Sequence, residues 1–382
     1  MKPPTLRSPA LARLLVVKLA GIGDLLTAFP ALEALRKSYP QAEITALVTP
    51  QTAPLLSGVR LVDRVMVLDK YLFDTAGGFL RPRALLDLWR LAARLRSCSF
   101  DAVLLLHHLL TWPGVIKYAL LSAATGAPLR VGLDDGRGWF LNMRVRDQGF
   151  GRRHEVDYWL EVVRLLGATN PEPDVRITWG DTEERFAAER WAALGLRASD
   201  AVVAIHPGTG NYSPVRRWGT REFAAVADAL AEDGLAALVV AGPGEEELAR
   251  KVVAAAKVSC RVLEGVQSLR SLAALLSKCR LFVGNDSGVM HLAHAAGVPV
   301  VAVFGPSNHQ AWGPYDPAGK RSRVVRVDLP CSPCLYRGQS LGRRYGCGQL
   351  SCLRLIKPTV VVEVARELLS CHLSARNGPE KC

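Results

Sequence analysis

Four short stretches combine glycine, carboxylate, hydroxyl and basic side chains in spacings suited to a phosphorylated ligand. The first is Ala20-Gly21-Ile22-Gly23-Asp24, where Gly21 and Gly23 permit a tight turn and Asp24 projects from the start of a helix. A carboxylate there serves either as a helix cap or as a general base, and spacing by itself favours the cap. The second is His206-Pro207-Gly208-Thr209-Gly210, followed by Arg216 and Arg217 ahead of Trp218. The amides of such a turn, around Gly208 and Thr209, can cradle a phosphate that arginine then clamps; an exposed basic loop explains the same residues equally well. The third is Gly242-Pro243-Gly244 running into Glu245, Glu246 and Glu247. Acidic residues suit the dipole of a first helical turn, and a carboxylate at a strand end can also accept from ribose hydroxyls. The fourth is Gly284-Asn285-Asp286-Ser287-Gly288-Val289-Met290-His291. A polar turn that opens a helix presents free amides to an anion, with His291 one turn in, although a lone helical histidine is more often structural.

These stretches need a scaffold that gathers strand ends. Apolar runs at 14–19, 43–49, 62–68 and 101–107 predict buried strands, and 87–97 has helical spacing. After a proline-rich connection at 169–179, a second cycle predicts strands at 201–208, 235–244, 280–288 and 298–305. Helices separate them at 220–234, 245–257, 268–279 and 289–297. Continuous apolar strands alternating with helices indicate parallel sheets covered on both faces. The expected class is α/β, with two Rossmann-like doubly wound domains facing across a cleft. Residues 1–175 form the first domain and 176–357 the second, the latter carrying a cysteine-rich loop at 331–352. A last helix in 358–382 is expected to pack back on the first domain. Ligands in such sheets bind beyond the carboxyl ends of the strands, so three of the four stretches share one edge of the second domain.

Bulk properties narrow the partners. The chain has 382 residues, 49% hydrophobic and 22% charged, a composition that excludes disorder and suits two domains. No apolar run is long enough to span a bilayer, and the N-terminal run carries Lys18 and Asp24 inside it, unlike a secretory signal. A cytoplasmic location is expected. The net charge of +13 attracts anions. Basic residues cluster at Arg81, Arg83, Arg90, Arg94 and Arg96, and again at Arg137, Arg144, Arg146, Arg152 and Arg153. Most of these read as solvated surface; together they suit an enzyme working on phosphorylated lipid. Nothing points to nucleic acid.

The order and spacing of these motifs resemble glycosyltransferase family 9, the heptosyltransferase family of lipopolysaccharide core assembly. The resemblance runs from KLAGIGDLLTAFPALEALRKSYP through HPGTG…RRW, AGPGEEELA and FVGNDSGVMHLAHAAGVPVVAVFGPS to CSPC, most of the chain. It implies a GT-B fold with an N-terminal acceptor domain and a C-terminal donor domain. It also implies inverting, metal-independent transfer, typically of heptose from ADP-heptose, onto an anionic lipid-linked oligosaccharide at the cytoplasmic membrane surface. The family's catalytic aspartate falls on Asp24, and its donor-binding motif on Asp286, Ser287, Gly288 and His291. The ribose-contacting glutamate falls on Glu245 or Glu246, which the resemblance leaves open. Thr209, Arg216 and Arg217 are then expected at the diphosphate, Arg216 standing where the family often has lysine. No cofactor or catalytic metal is implied. A sugar-nucleotide epimerase or an inactive nucleotide-sugar-binding protein are the alternatives; acceptor-dependent nucleotide release separates transfer from both.

Cys331, Cys334, Cys347, Cys352 and Cys371, five of the nine cysteines, fall in one stretch near the C-terminus. Cys331, Cys334, Cys347 and Cys352 resemble a four-thiolate zinc site in ligand count, and reduced packed thiols are an equally open reading.

Overall fold

The computed structural model describes residues 11–69, 82–210, 213–266 and 268–377. Arg81, the side chain of Arg83 and residues 378–382 lie outside the described residues. The chain divides into two compact units. One holds the residues up to Gly149 together with Glu155–Pro173; the other holds Phe150–His154 and Asp174 onward.

The first unit is built on six strands: β1 (Arg13–Lys18), β2 (Glu43–Val48), β3 (Arg64–Val67), β4 (Ala102–Leu105), β5 (Leu129–Asp134) and β6 (Met143–Arg146), in the order β3-β2-β1-β4-β5-β6. All pairs are parallel; Leu15 of β1 sits beside Thr45 on one side and Val103 on the other. The helices are α1 (Ile22–Leu26), α2 (Phe29–Ser38), α3 (Pro82–Ser97), α4 (Trp112–Thr125) and α5 (Glu155–Arg164). β1 is buried on both faces because helices cover both. Leu15 and Val17 meet Leu95 of α3 and Val115 and Tyr118 of α4 in one apolar cluster. On the other face, the Lys18 ammonium lies 3.9 Å from the ring centre of Trp159 in α5.

The second unit repeats the plan with β7 (Val202–His206), β8 (Ala236–Val240), β9 (Arg261–Leu263), β10 (Leu281–Asn285), β11 (Val300–Val303) and β12 (Ser322–Val325). They are ordered β12-β11-β10-β7-β8-β9 and all parallel. Helices α6 (Asp181–Ala193), α7 (Thr220–Glu232), α8 (Glu246–Ala255), α9 (Leu269–Leu276), α10 (Gly288–Ala295) and α11 (His309–Trp312) flank the sheet. A hairpin of β13 (Leu335–Arg337) and β14 (Ser340–Gly342), a short α12 (Ser351–Arg354) and the long α13 (Pro358–Asn377) follow.

Three features differ from the sequence expectation. β5, β6, β9 and β12 escape the apolar-run criterion because Arg, Gly or Ser breaks or shortens their apolar residues, as in Met143-Arg144-Val145-Arg146. The last helix belongs to the second unit, where Val361, Val362, Ala365 and Leu368 of α13 complete the core with Val301, Val303 and Phe223. Finally, residues 150–154 leave the first unit for the second. The Phe150 amide donates to the Gly338 carbonyl at 2.8 Å and the His154 ring meets the Gly313 carbonyl at 2.9 Å.

Candidate active site

In the second unit, β7 and β10 are neighbours, so the Gly208–Gly210 turn and the Asn285–Ser287 turn leave the sheet side by side. Asn285, fully buried, joins them: its amide group donates to the Pro207 carbonyl at 2.8 Å and its oxygen accepts from the Trp218 amide at 2.9 Å. Ser287 caps α10, its hydroxyl accepting from the Met290 amide at 3.2 Å. That leaves Gly288 as the first helical residue, at the end of a helix where amides and dipole both favour an anion. Arg216 bridges the two turns. One guanidinium nitrogen donates to Asp286 at 3.1 Å and the other to the Thr209 carbonyl at 3.1 Å.

Glu245 anchors the glycine turn from below. One of its oxygens accepts from the amides of Thr209 and Gly210, both at 2.8 Å; the other lies 3.1 Å from the His206 ring. The opposite nitrogen of that ring lies 3.3 Å from the Ser287 hydroxyl. Burial by itself would raise the Glu245 carboxyl; the His206 ring and the two amides outweigh it and bring the pKa down to about 2. Arg217, 3.6 Å from the same carboxylate, donates to the Gly210 carbonyl at 3.3 Å. The network explains why position 208 is glycine: a β-carbon there would sit 2.0 Å from a Glu245 oxygen. Glu246 stands apart from this network, half-buried, accepting from the Gly244 amide at 3.2 Å. His291 is buried within α10, and burial pushes its pKa down to about 4, so it is a neutral ring at neutral pH.

In the first unit, Asp24 lies in α1 at the carboxyl end of β1 and is half-buried. Its carboxylate accepts from the Gly21 amide at 3.1 Å, the capping contact that the spacing favours. Gly23 is buried beneath this turn. The backbone leading into it is held from the neighbouring strand: the Leu19 amide donates to the His107 ring at 2.7 Å, and the Lys18 ammonium donates to the Leu106 carbonyl at 2.9 Å. Next to His107, buried His108 lies between Asp147 at 2.7 Å and Glu155 at 3.0 Å. Burial lowers its pKa, but the two carboxylates, Glu155 foremost, raise it to about 9. Asp147 and Glu155 stand at either end of the 150–154 segment, so His108 holds the two points between which the chain leaves and re-enters the unit.

Thr209, Arg216, Arg217, Glu245, Asp286 and Ser287 are thus brought into one network, with Gly208 and Gly288 shaping it. Asp24, Gly21 and Gly23 form a separate cluster in the first unit. Sequence reasoning passed over His206, Asn285, His107 and His108. The first two lie inside the quoted motifs and had a local signal; the His107-His108 pair follows β4 with none.

The cysteine-rich loop brings its thiols within electrostatic reach of one another, Cys334, Cys347 and Cys331 all acting on Cys352. Among the described residues, no group of three or more His, Cys, Asp or Glu is set to hold a metal ion. Cys352 belongs to the apolar core with Leu353, its thiol pushed up to about 11 by burial, whereas Cys331 and Cys347 are exposed.

Comparison with known proteins agrees with this geometry. The family model "Glycosyltransferase family 9 (heptosyltransferase)" matches residues 88–344, more than half of the chain. Lipooligosaccharide heptosyltransferase 2 of Campylobacter jejuni is 28% identical over 235 residues, 60% of this chain and 71% of that protein. The crystal structure of a family 9 glycosyl transferase from Veillonella parvula superposes with a TM-score of 0.76 at 26% identity, covering 95% of this chain and 99% of that one. The Escherichia coli ADP-heptose lipopolysaccharide heptosyltransferase II does so with a TM-score of 0.71 at 22% identity, covering 95% and 100%. The two Rossmann-like sheets are of the GT-B type. The chain belongs to glycosyltransferase family 9, the heptosyltransferase family, and is a transferase.

Proposed function

We propose that this transferase moves heptose from ADP-heptose onto a lipid-linked lipopolysaccharide core acceptor, with inversion and without a metal ion. The carrying observation is Arg216, whose fork ties Asp286 to Thr209 beside the amino end of α10 and fixes a positive group where a diphosphate would rest. Relatives named as heptosyltransferases, and a structural neighbour whose name includes ADP-heptose, support the choice of donor.

In the proposed reaction, the acceptor hydroxyl attacks the anomeric carbon from the face opposite the nucleotide. Its proton passes to Asp24, the new glycosidic C–O bond forms, and the bond to the diphosphate breaks, releasing ADP. Charge that builds on the diphosphate is met by Arg216, Arg217 and the amides at Ser287 and Gly288, the Thr209 amide being held by Glu245. Such fixed donors need no reorganisation as the charge develops, the role a divalent cation plays in other transferases. Glu245 is committed to the protein's own amides, so we assign the ribose hydroxyls to Glu246. His291, neutral, supplies hydrogen bonds but no charge. The enzyme works at the cytoplasmic membrane face, where lipid-linked acceptors are presented. No helix of the described residues is long and apolar enough to cross a membrane.

Two measurements test this reading. A thermal-shift panel of ADP-heptose with ADP- and UDP-hexoses should show preferential stabilisation by ADP-heptose. Asp24→Asn should keep donor affinity and lower turnover by about 10²–10⁴. Equal stabilisation by every nucleotide sugar would overturn the donor assignment, and wild-type turnover of the Asn variant would remove Asp24 from the mechanism.

A further inference from the structure

We propose that the first unit docks on an anionic membrane surface through the outer faces of α3 and α4 and the loop carrying Trp139. The proposal rests on the acceptor being lipid-linked and names the face that would bring the enzyme to it.

Amphipathic helices on a sheet bury one side and turn polar residues outward. α4 does not. Val115, Tyr118, Ala119 and Ser122 face the sheet, yet the outward stripe is Trp112, Ile116 and Leu120, exposed by 61%, 53% and 67%. These positions are four residues apart, one above another on a single helix face. α3 packs beside α4 on the same side of the sheet, where Leu95 and Val115 share one cluster. It carries Trp89, 69% exposed. The loop between β5 and β6 crosses the same face, since Phe140 and Leu141 join that cluster. It is tied next to α4 by Arg137, whose guanidinium donates to the Leu109 and Leu110 carbonyls, and it exposes Trp139 by 64%. Every exposed tryptophan among the described residues lies on this one face.

The charge around the stripe is basic. The outward positions of α3 include Arg90, Arg94 and Arg96 against one acid, Asp87, and α4 carries Lys117 and no acid. Tryptophan and aliphatic side chains ringed by arginine and lysine suit the headgroup layer, where rings bury and cations meet anionic lipid. A second copy of the chain fits less well. A two-fold contact would set the same arginines of both copies against each other.

The test uses the full chain in co-sedimentation with vesicles of phosphatidylethanolamine and phosphatidylglycerol, and with vesicles of phosphatidylcholine. The expected result is binding to the anionic vesicles only, weakened by salt. Arg90→Gln with Arg94→Gln should lower binding about 25-fold, at roughly fivefold for each basic residue near the surface. Trp112→Ser with Ile116→Ser and Leu120→Ser should lower it about tenfold or more. Both variants should keep the wild-type thermal shift with donor and wild-type turnover on a lipid-free acceptor, because the changes are at exposed positions that the proposed reaction does not use. Absence of wild-type binding, or variants that bind as wild type does, would overturn the proposal. So would a dimer in sedimentation velocity that the triple variant dissociates while vesicle binding is unchanged. Failure of transfer to a lipid-free acceptor counts against the transferase reading alone, since vesicle binding is measured without turnover.

Discussion

Replacing Gly208 by alanine tests the network that shapes the second unit's glycine turn. The added β-carbon would lie 2.0, 2.2 and 2.3 Å from the carboxylate atoms of Glu245, closer than any real contact, so the carboxylate must move. Moving it breaks the two 2.8 Å bonds from the Thr209 and Gly210 amides and the 3.1 Å contact with His206. Hydrogen bonds to a charged partner contribute about 1.5–3 kcal/mol each, and the two amide bonds sum to about 3–6 kcal/mol. Gly210 is exposed, so water replaces part of this and the lower figure, about 3 kcal/mol, is expected. At about 2–4 °C per kcal/mol for a domain of this size, the second unit should melt about 6–12 °C lower in calorimetry. The displaced turn should also weaken ADP binding in titration calorimetry about tenfold. The decisive comparison is the pair Gly208→Ala with Glu245→Ala. With the carboxylate gone, the three atoms nearest the β-carbon are removed, and the double variant should resemble Glu245→Ala alone. Additive losses, or a Gly208→Ala protein that melts and binds as wild type does, would refute the reasoning.

Further outcomes follow from the titrating groups and the arginine fork. His108 is held protonated to about pH 9 against an unfolded value near 6.5, so its contribution is complete below pH 6.5 and lost as pH rises toward 9. Urea denaturation should show that decline, and His108→Leu, which strands Asp147 and Glu155 without a cation, should cost about 3–5 kcal/mol. His291 and His294 have the opposite sign. Burial lowers both to about 4, so the unfolded chain takes up their protons first, and stability should fall as pH drops from 6.5 toward 4. The expected slope is at most about 1.4 kcal/mol per pH unit for each ring, and His294→Gln should reduce it; an unchanged slope would argue against burial as the cause. Arg216→Lys keeps the charge but cannot hold Asp286 and Thr209 together. ADP affinity by titration calorimetry should fall about tenfold, and further in Arg216→Met.

Much of this protein is legible in its amino-acid sequence. The apolar runs at 14–19 and 298–305 mark the buried strands β1 and β11, and the Asn285-Asp286-Ser287-Gly288 turn announces a helix that Ser287 caps. Asp24 as a cap follows from its position three residues after Gly21. Each of these is local: side-chain period, turn chemistry and capping act within a few residues. What tertiary structure decided is which distant residues meet. Glu245 meets His206 across 39 positions, a contact that no local pattern shows. His108 gained its charge only by meeting Glu155, 47 positions on, and Asp147, 39 positions on. α13 reads as an amphipathic helix in either unit; it lies on the second because the apolar surface of that sheet beside Val301 and Val303 is what its own apolar face fills. Local pattern specifies the elements, while their partners depend on packing that is summed over the whole fold.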